Sequence, residues 1–427
     1  MQFNEFNLSK ELLSSIEKLG ISEPTQIQQQ SIPFIINGDD VIGESATGSG
    51  KTLAFGCGII EKVVPRQGLQ ALVLTPTREL AEQVKESLRK LTQMLSIITV
   101  YGGVNIDAQI KNLPKADIVV GTPERMLDHI ERRTINLSKI KLIVLDEADR
   151  MLDMGFIDDV ERIMKECPKK RQTLFFSATI APAIKELSKR YMFNPKKVSA
   201  TKMVDASKLK QVYYDVSKNM KFSLLAHLLK KESSGLVLVF CNTRMNVDFV
   251  AKNLRNNKID AIAIHGGFSQ NKRNKTLQTF SDKKAHVLVC TDVVARGLHI
   301  ENVSHVYNYD IPKDPKDYVH RIGRTARAGE EGKAVSLLCD FDHENYARVR
   351  REYREFKINN VEIPPIERAI VDLERSNRNN GSGRNRGGGF RRNSNQFRGN
   401  GVGRERTSNN RRPPARGGFN NRNNRKF

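Results

Sequence analysis

Two series of short apolar runs, separated by stretches of helical period, occupy most of this chain. In the first, over residues 1–200, candidate strands fall at 41–42, 71–74, 97–101, 118–120, 141–145 and 173–176. The second, over residues 211–370, begins near Gln211 and continues at 236–240, 261–264, 286–289, 305–309 and 334–338. Nearly all are unbroken apolar runs rather than apolar–polar alternations. A strand can be apolar on both faces only where both are covered, as in parallel sheets whose crossover helices pack on either side. The expected fold class is therefore α/β: two tandem domains, each a mainly parallel sheet flanked by helices. Residues 201–210 carry Lys, Asp and Ser with little periodicity and read as the linker. Ahead of the first strand, Leu8, Leu12, Leu13, Ile16 and Leu19 share one helical face, with Gly20 placed to end that helix.

A length of 427 residues suits two or three such units. The net charge is +23 and is unevenly spread. Residues 376–427 hold thirteen Arg and one Lys against one Glu, so +13 lies on the last 52 residues. Arg, Asn and Gly make up 36 of those 52, and only six are apolar, four of them Phe. Such a segment cannot bury enough surface to offset chain entropy, so residues 371–427 are expected to form a disordered tail. A basic excess of this size favours a polyanionic partner, nucleic acid or an acidic membrane surface, over a small neutral ligand.

Other classes fall away. No apolar run approaches the 18 or so residues of a membrane helix, and the first ten residues lack the basic-then-apolar order of a signal peptide. A soluble, cytoplasmic protein is expected, with no membrane partner. Five cysteines, Cys57, Cys167, Cys241, Cys290 and Cys339, form no CxxC pair and number odd. They are expected as buried strand residues in a reducing compartment, not as a disulfide framework or a zinc site.

The motif Ser45-Ala-Thr-Gly-Ser-Gly-Lys-Thr52 follows the first candidate strand and precedes a helical stretch. Its glycines let backbone N–H groups curl around phosphate oxygens and the helix N-terminus adds favourable partial charge. Lys51 can reach the β- and γ-phosphates and Thr52 can ligate Mg²⁺. The nucleotide-binding residues on this loop are Thr47, Gly48, Ser49, Gly50, Lys51 and Thr52. Some 95 residues later, an apolar run ends in Asp146-Glu147-Ala148-Asp149, with the carboxylates at a strand's C-terminal end, where open α/β sheets place ligands. Asp146 would hold Mg²⁺ and Glu147 would orient and deprotonate an attacking water.

With these motifs in this order, the chain resembles the DEAD-box family of superfamily 2 RNA helicases over residues 1–363. The resemblance implies two RecA-like domains, ATP and Mg²⁺ as cofactors, and RNA as partner. Gly20-Ile-Ser-Glu-Pro-Thr-Gln-Ile-Gln28 is similar to the family's Q motif, which implies that Gln28 reads the adenine edge and Phe3, 17 positions before the motif, stacks on the base. Pro76-Thr77-Arg78, Gly102-Gly103 and Thr122-Pro-Glu-Arg125 resemble loops that hold the RNA sugar-phosphate backbone. Hydroxyls, glycine N–H groups and arginines carry no base code, so binding to single strands and short duplexes is expected to be largely sequence-independent. Glu124 stands where Gly is commoner and is not counted as a contact. Ser177-Ala178-Thr179 resembles the motif that couples ATP hydrolysis to strand separation; Thr179 could equally cap the helix before Pro182.

In the second series, Thr243, Gly266, Arg273 and Thr291 match RNA-contacting positions. Residues 291–300 resemble the motif touching both ATP and RNA, with Gly297 and His299 near the nucleotide. His299 replaces the usual Asp, which puts the ribose contact in question. His320-Arg-Ile-Gly-Arg-Thr-Ala-Arg327 matches the terminal motif, with Arg324 and Arg327 as arginine fingers, a role worth roughly 10³–10⁵ in rate. Catalytic duty is thus expected of Lys51, Asp146, Glu147, Arg324 and Arg327. The tail, with Arg386-Gly-Gly388 and Arg416-Gly-Gly-Phe419, resembles RGG segments that bind RNA. Rival readings are an RNA-annealing protein with a vestigial ATPase and a DNA helicase of the same superfamily; a monomer is expected, with protein partners unspecified.

Overall fold

The structure, a computed structural model, describes residues 2–45, 48–200, 209–231, 235–292, 303–326 and 331–372. Residues 2–372 contain two seven-stranded sheets. The first comprises β1 (Val41–Glu44), β2 (Ala71–Leu74), β3 (Ile97–Val100), β4 (Ile118–Gly121), β5 (Leu142–Asp146), β6 (Gln172–Ser177) and β7 (Lys196–Ser199). The second comprises β8 (Leu209–Asp215), β9 (Leu236–Phe240), β10 (Ala261–Ile264), β11 (Val287–Cys290), β12 (Val303–Asn308), β13 (Gly332–Leu338) and β14 (Ile358–Asn360).

The sheets run β3-β4-β2-β5-β6-β1-β7 and β10-β11-β9-β12-β13-β8-β14, the same order once each is numbered from its own first strand. Every described pairing is parallel. Successive side chains of a strand point to opposite faces, and both faces are covered. Val41, Val73, Val120 and Val144 enter one core layer of the first sheet, and Ile42, Leu72, Val119 and Ile143 the other. In β9, Val237 and Val239 face one layer and Leu236, Leu238 and Phe240 the other. The α/β expectation therefore holds in both halves.

Several boundaries differ from the sequence reading. The edge strands β7 and β14 were not anticipated. In β7 only Val198 is buried, and its neighbours Lys196, Lys197 and Ser199 are exposed, so there is no apolar run to read. Leu209 and Lys210, expected in the linker, already belong to β8; residues 201–208 lie outside the described residues. Val371 and Asp372, assigned to the tail, pack on the second half instead. Val371 joins its core, and the Asp372 amide donates to Asn253 Oδ1 at 2.7 Å. The tail from 373 onward is outside the described residues.

The first helix, Lys10–Lys18, buries Leu12 and Ile16 as expected, but Leu19 stands 37 % exposed at its C-cap, where the helical face has ended. All five cysteines are buried and free. Only Cys290 lies within a strand; Cys57 is on helix Lys51–Lys62 and Cys167 caps helix Ile157–Glu166. Among the described residues, no helix is long and apolar enough to cross a membrane.

Candidate functional site

The chemistry-bearing residues gather at the C-terminal ends of the strands of both sheets. After β1 the chain enters the glycine-rich loop, whose Thr47 is outside the described residues. Gly48 and Gly50 take left-handed φ of 87° and 91°, and Gly50 caps helix Lys51–Lys62. Lys51 is buried and donates from Nζ to the Ser45 carbonyl at 2.8 Å. Ser49 and Ser45 hydroxyls meet at 2.8 Å. Thr52 is half-buried on the first turn of the same helix.

Gln28 lies against this loop. Its Nε2 donates to the Gly50 carbonyl at 3.0 Å, and its Oε1 accepts from the Thr25 amide at 2.9 Å, closing a capping box at the start of helix Gln26–Asn37. Thr25 Oγ1 adds a bond to the Ser49 carbonyl at 2.7 Å. Gly50 is required by its left-handed φ, and a Cβ there, 2.3 Å from Gln28 Nε2, would also displace the glutamine from the loop. Phe3 is not presented as a free stacking platform. It is 6 % exposed, in the core, and edge-on to Phe6 at 6.0 Å between centroids.

Beside the loop, β5 ends at Asp146, and Glu147 adopts a left-handed φ of 54° before helix Ala148–Asp153. For a non-glycine residue that conformation costs of order 1–3 kcal/mol, the kind of local strain that clusters at functional sites. Burial pushes the Asp146 carboxyl up to about 7 against the pull of Lys51, with Glu147 adding to the rise. Glu147 goes the other way: burial would raise it, but the charges of Arg150, Lys51 and Arg324 outweigh burial and hold it at about 2. Arg150 forms a buried ion pair with Glu147. Among the described residues no cluster of three or more His, Cys, Asp or Glu could cage a metal. Asp146, a buried carboxylate whose proton affinity burial raises, and Thr52, on the first turn after the glycine-rich loop, are oxygen donors of the kind Mg²⁺ takes, and that ion keeps waters and substrate oxygens as its other ligands.

Asp149 links the two strand ends. Its amide donates to Ser177 Oγ at 3.0 Å, its Oδ2 accepts from the Thr179 amide at 2.9 Å and from Thr179 Oγ1 at 3.2 Å, and Ser177 Oγ donates to the Thr179 carbonyl at 2.7 Å. The hydroxyls of Ser177 and Thr179 are therefore tied directly to the acidic motif. Thr179 caps no helix; Ala181 stands at that position.

The expected nucleic-acid loops follow β2, β3 and β4. Thr77 caps helix Arg78–Leu91, accepting from the Leu80 amide at 3.3 Å, and Thr122 occupies the N-cap of helix Pro123–Glu131. Arg78 lies across Gly103, where φ is 80° and a Cβ would meet Nη1 at 2.0 Å. Arg125 donates to the Val104 carbonyl at 3.2 and 3.4 Å. Arg78, Gly102, Gly103 and Arg125 thus lie together, while Pro76 and Thr122 are buried and Glu124 is exposed.

In the second half, Thr243 caps helix Arg244–Asn256 and Gly266 sits under Arg244. Thr291 is 8 % exposed after β11. Arg273, matched to nucleic-acid contact, is held elsewhere: Nη2 lies 2.8 Å from Glu79 of the first half, Nη1 donates to Gln270 Oε1 at 3.2 Å, and Gln270 Nε2 donates to the same Glu79 oxygen at 3.2 Å. Arg324 is 3 % exposed and close enough to lower the Glu147 carboxyl. Gly297, His299 and Arg327 lie outside the described residues.

Sequence reading did not foresee the roles of Arg150, Glu79 and Arg321. Arg150 had a local signal, since it lies on the first turn of the helix that Glu147 precedes, three positions after it. Glu79 had none: its partner Gln270, matched like Arg273 to RNA-contacting positions, is 191 residues away. Arg321, in the terminal motif, has its role set by folding. It pairs with both Asp292 oxygens at 2.6 Å, donates to Asn242 Oδ1 at 2.9 Å, and lies 5.1 Å from the centre of the Phe240 ring.

Comparison with known proteins agrees with this geometry. The DEAD/DEAH box helicase family matches residues 25–187, and the helicase conserved C-terminal domain matches residues 220–329. The chain is 43 % identical over 373 residues to the DEAD-box ATP-dependent RNA helicase CshA of Bacillus subtilis (strain 168), covering 86 % of this chain and 75 % of that protein. It is 44 % identical to the ATP-dependent RNA helicase CshA of Listeria monocytogenes, covering 87 % and 72 %. Among solved structures it is similar to S. cerevisiae Dbp5 bound to RNA and ADP BeF3, with a TM-score of 0.77, 31 % identity and coverage of 84 % and 95 %.

Proposed function

Because the chain belongs to the DEAD-box ATP-dependent RNA helicases, we propose that its two halves close on ATP and RNA together, hydrolyse ATP in an RNA-stimulated manner, and locally separate short duplexes or remodel RNA–protein complexes. The observation that carries this reading is the meeting of the halves: Arg273 of the second lies 2.8 Å from Glu79 of the first, and Arg324 of the second comes close enough to Glu147 of the first to lower its carboxyl. An arginine finger and a water-orienting carboxylate on separate sheets act together only when the halves meet, so hydrolysis is gated by closure.

The glycine-rich loop and Lys51 bind the phosphates, and Gln28, which keeps one amide hydrogen and one lone pair beyond its loop bonds, borders the base. Asp146 and Thr52 would hold Mg²⁺, which supplies charge neutralisation on the phosphate oxygens. Glu147 is kept ionised by Arg150, Lys51 and Arg324, so it accepts a hydrogen bond from the attacking water and orients it. Ser177 and Thr179, bonded to Asp149, sense the state of the acidic motif and pass it toward the RNA loops. Bound RNA lies along Arg78, Gly102–Gly103, Thr122 and Arg125 in the first half and Thr243 and Gly266 in the second. Arg327, Gly297, His299, Thr47 and Thr291 keep the nucleotide and RNA roles implied by the motif matches, in a protein that acts as a cytoplasmic monomer.

The arginine-rich tail adds sequence-tolerant capture. Deleting residues 376–427 is expected to weaken RNA binding and to reduce its salt dependence, which for single strands has a slope near −0.7 per phosphate neutralised. The whole reading is tested by measuring ATP hydrolysis with and without RNA for the wild type, Glu147→Gln and Arg324→Ala. RNA should stimulate only the wild type, and matched DNA should fail to replace it. Equal hydrolysis without RNA would overturn the gating, and equal stimulation by DNA would overturn the RNA assignment.

A further inference from the structure

Tyr101, the residue before Gly102-Gly103, is tied at both ends. Its hydroxyl donates to Glu82 Oε1 at 2.7 Å, one turn along the helix that starts at Arg78; the same oxygen also accepts from Thr99 Oγ1 at 2.7 Å. Its backbone carbonyl accepts from Gln109 Nε2 at 3.0 Å, and Gln109 Oε1 lies 3.1 Å from His129 Nε2, on the helix that follows Thr122. His129 is 0 % exposed, and its other ring nitrogen lies 2.7 Å from Thr134 Oγ1.

Hydrogen-bond chemistry fixes the two central members of this chain. A carbonyl can only accept, so Gln109 must turn its NH₂ to Tyr101 and its oxygen to His129. His129 must then donate from Nε2, while its Nδ1 meets the Thr134 hydroxyl, which also lies 3.2 Å from the His129 carbonyl. Gln109 and His129 thus each have one workable orientation, and both are buried where losing a partner is costly. Arg125, donating to the Val104 carbonyl just past the glycines, adds a second tie between the same two segments.

We propose that Gln109 and His129 are positioning residues for RNA: with Tyr101 and Glu82 they hold the Arg78, Gly102–Gly103 and Thr122–Arg125 segments as one preformed surface for the sugar-phosphate backbone. This rests on the RNA-binding reading above. Neither side chain reaches the surface to touch RNA or nucleotide, since Gln109 is 7 % and His129 0 % exposed. Three loops that move independently would each have to be ordered on binding; loops held in register bind without that loss.

The test uses the full chain. In His129→Ala and Gln109→Ala the RNA concentration giving half-maximal ATPase stimulation should rise by about tenfold, the scale of one lost buried hydrogen bond. Turnover at saturating RNA and the KM for ATP should stay near wild type. His129→Gln, which can still present an N–H to Gln109 Oε1, should recover most of the loss, and the double Ala variant should be no worse than either single. Circular dichroism melts select variants that fold; should an Ala variant fail to fold, Gln109→Glu, which keeps the bond from His129 but cannot donate to Tyr101, takes its place. An unchanged RNA dependence in folded variants would overturn the proposal. So would additive losses in the double variant, or equal falls in turnover and RNA affinity. A wild type that RNA fails to stimulate would instead overturn the RNA reading itself, so the two failures are distinct.

Discussion

Arg273 of the second half places its guanidinium 2.8 Å from the Glu79 carboxylate of the first, and the two side chains are only 9 % and 2 % exposed. The pair is a clasp between the sheets, set 191 residues from Glu79 to Gln270 along the chain and completed by that glutamine.

Breaking a buried pair by removing one partner costs about 3–5 kcal/mol, because the other charge is left enclosed and uncompensated. Arg273→Ala or Glu79→Ala should therefore disfavour the closed arrangement and lower RNA-stimulated ATP turnover by at least roughly tenfold. Removing both charges should be less harmful than the two losses combined. Steady-state hydrolysis at saturating RNA measures this; single variants with wild-type turnover would show that the clasp does not hold the halves together.

Gln28→Leu removes the bond to the Gly50 carbonyl and the acceptor for the Thr25 amide. Both bonds are partly buried, so each loss costs about 0.5–1.5 kcal/mol. ATP affinity should fall while RNA affinity without nucleotide stays the same, as read by titration with a fluorescent ATP analogue and, separately, labelled RNA. A larger fall in RNA affinity than in ATP affinity would contradict the placement of Gln28 against the phosphate loop.

Arg150 is the largest of the charges holding Glu147 at about 2. In Arg150→Met that influence is lost while burial, which raises the carboxyl, remains. Glu147 then takes up a proton at a higher pH, so as pH falls the variant should lose activity before the wild type does. Folding shows the same sign. The lowered carboxyl contributes stability above its ordinary value near 4.5 that is lost as pH falls through about 2, and the variant should lack that contribution. Coincident acid limbs in the pH–rate profiles of wild type and variant would refute the assignment.

Burial raises the Cys57 thiol to about 12 and the Cys167 thiol to about 11, and burial likewise raises Cys241, Cys290 and Cys339. The thiolate is the reactive form. Native protein at pH 8 should therefore be alkylated slowly by iodoacetamide at all five positions, and rapidly at all five in guanidinium. Mass spectrometry that found one site labelled as fast in the native as in the denatured protein would show that site to be open.

The strands legible in the sequence were the apolar ones, the edge strands β3 and β10 included. β2, β9 and β10 have the bounds their apolar runs suggest, because strands covered on both faces must be apolar throughout. β7 and β14 escaped because Lys196, Lys197, Asn359 and Asn360 leave neither an apolar run. At the site, Lys51, Asp146 and Glu147 were legible since phosphate and metal chemistry demand those residue types next to glycines and strand ends. Phe3 illustrates the limit: a motif spacing named it, but its packing against Phe6 depends on how the first helix seats on the core.

The amino-acid sequence alone determined the two parallel α/β halves, the phosphate loop, the acidic strand end and the arginines of the terminal motif, because each is specified by residues close together in the chain. Tertiary structure decided which groups face one another: Arg324 toward Glu147, Arg273 on Glu79, and the Tyr101–Gln109–His129 chain between the strand before Gly102–Gly103 and the helix after Thr122. Hydrophobic patterning acts along a strand or helix and leaves a periodic trace. A hydrogen bond or ion pair between distant segments depends on distances of about 3 Å that only the packed sheets and helices establish.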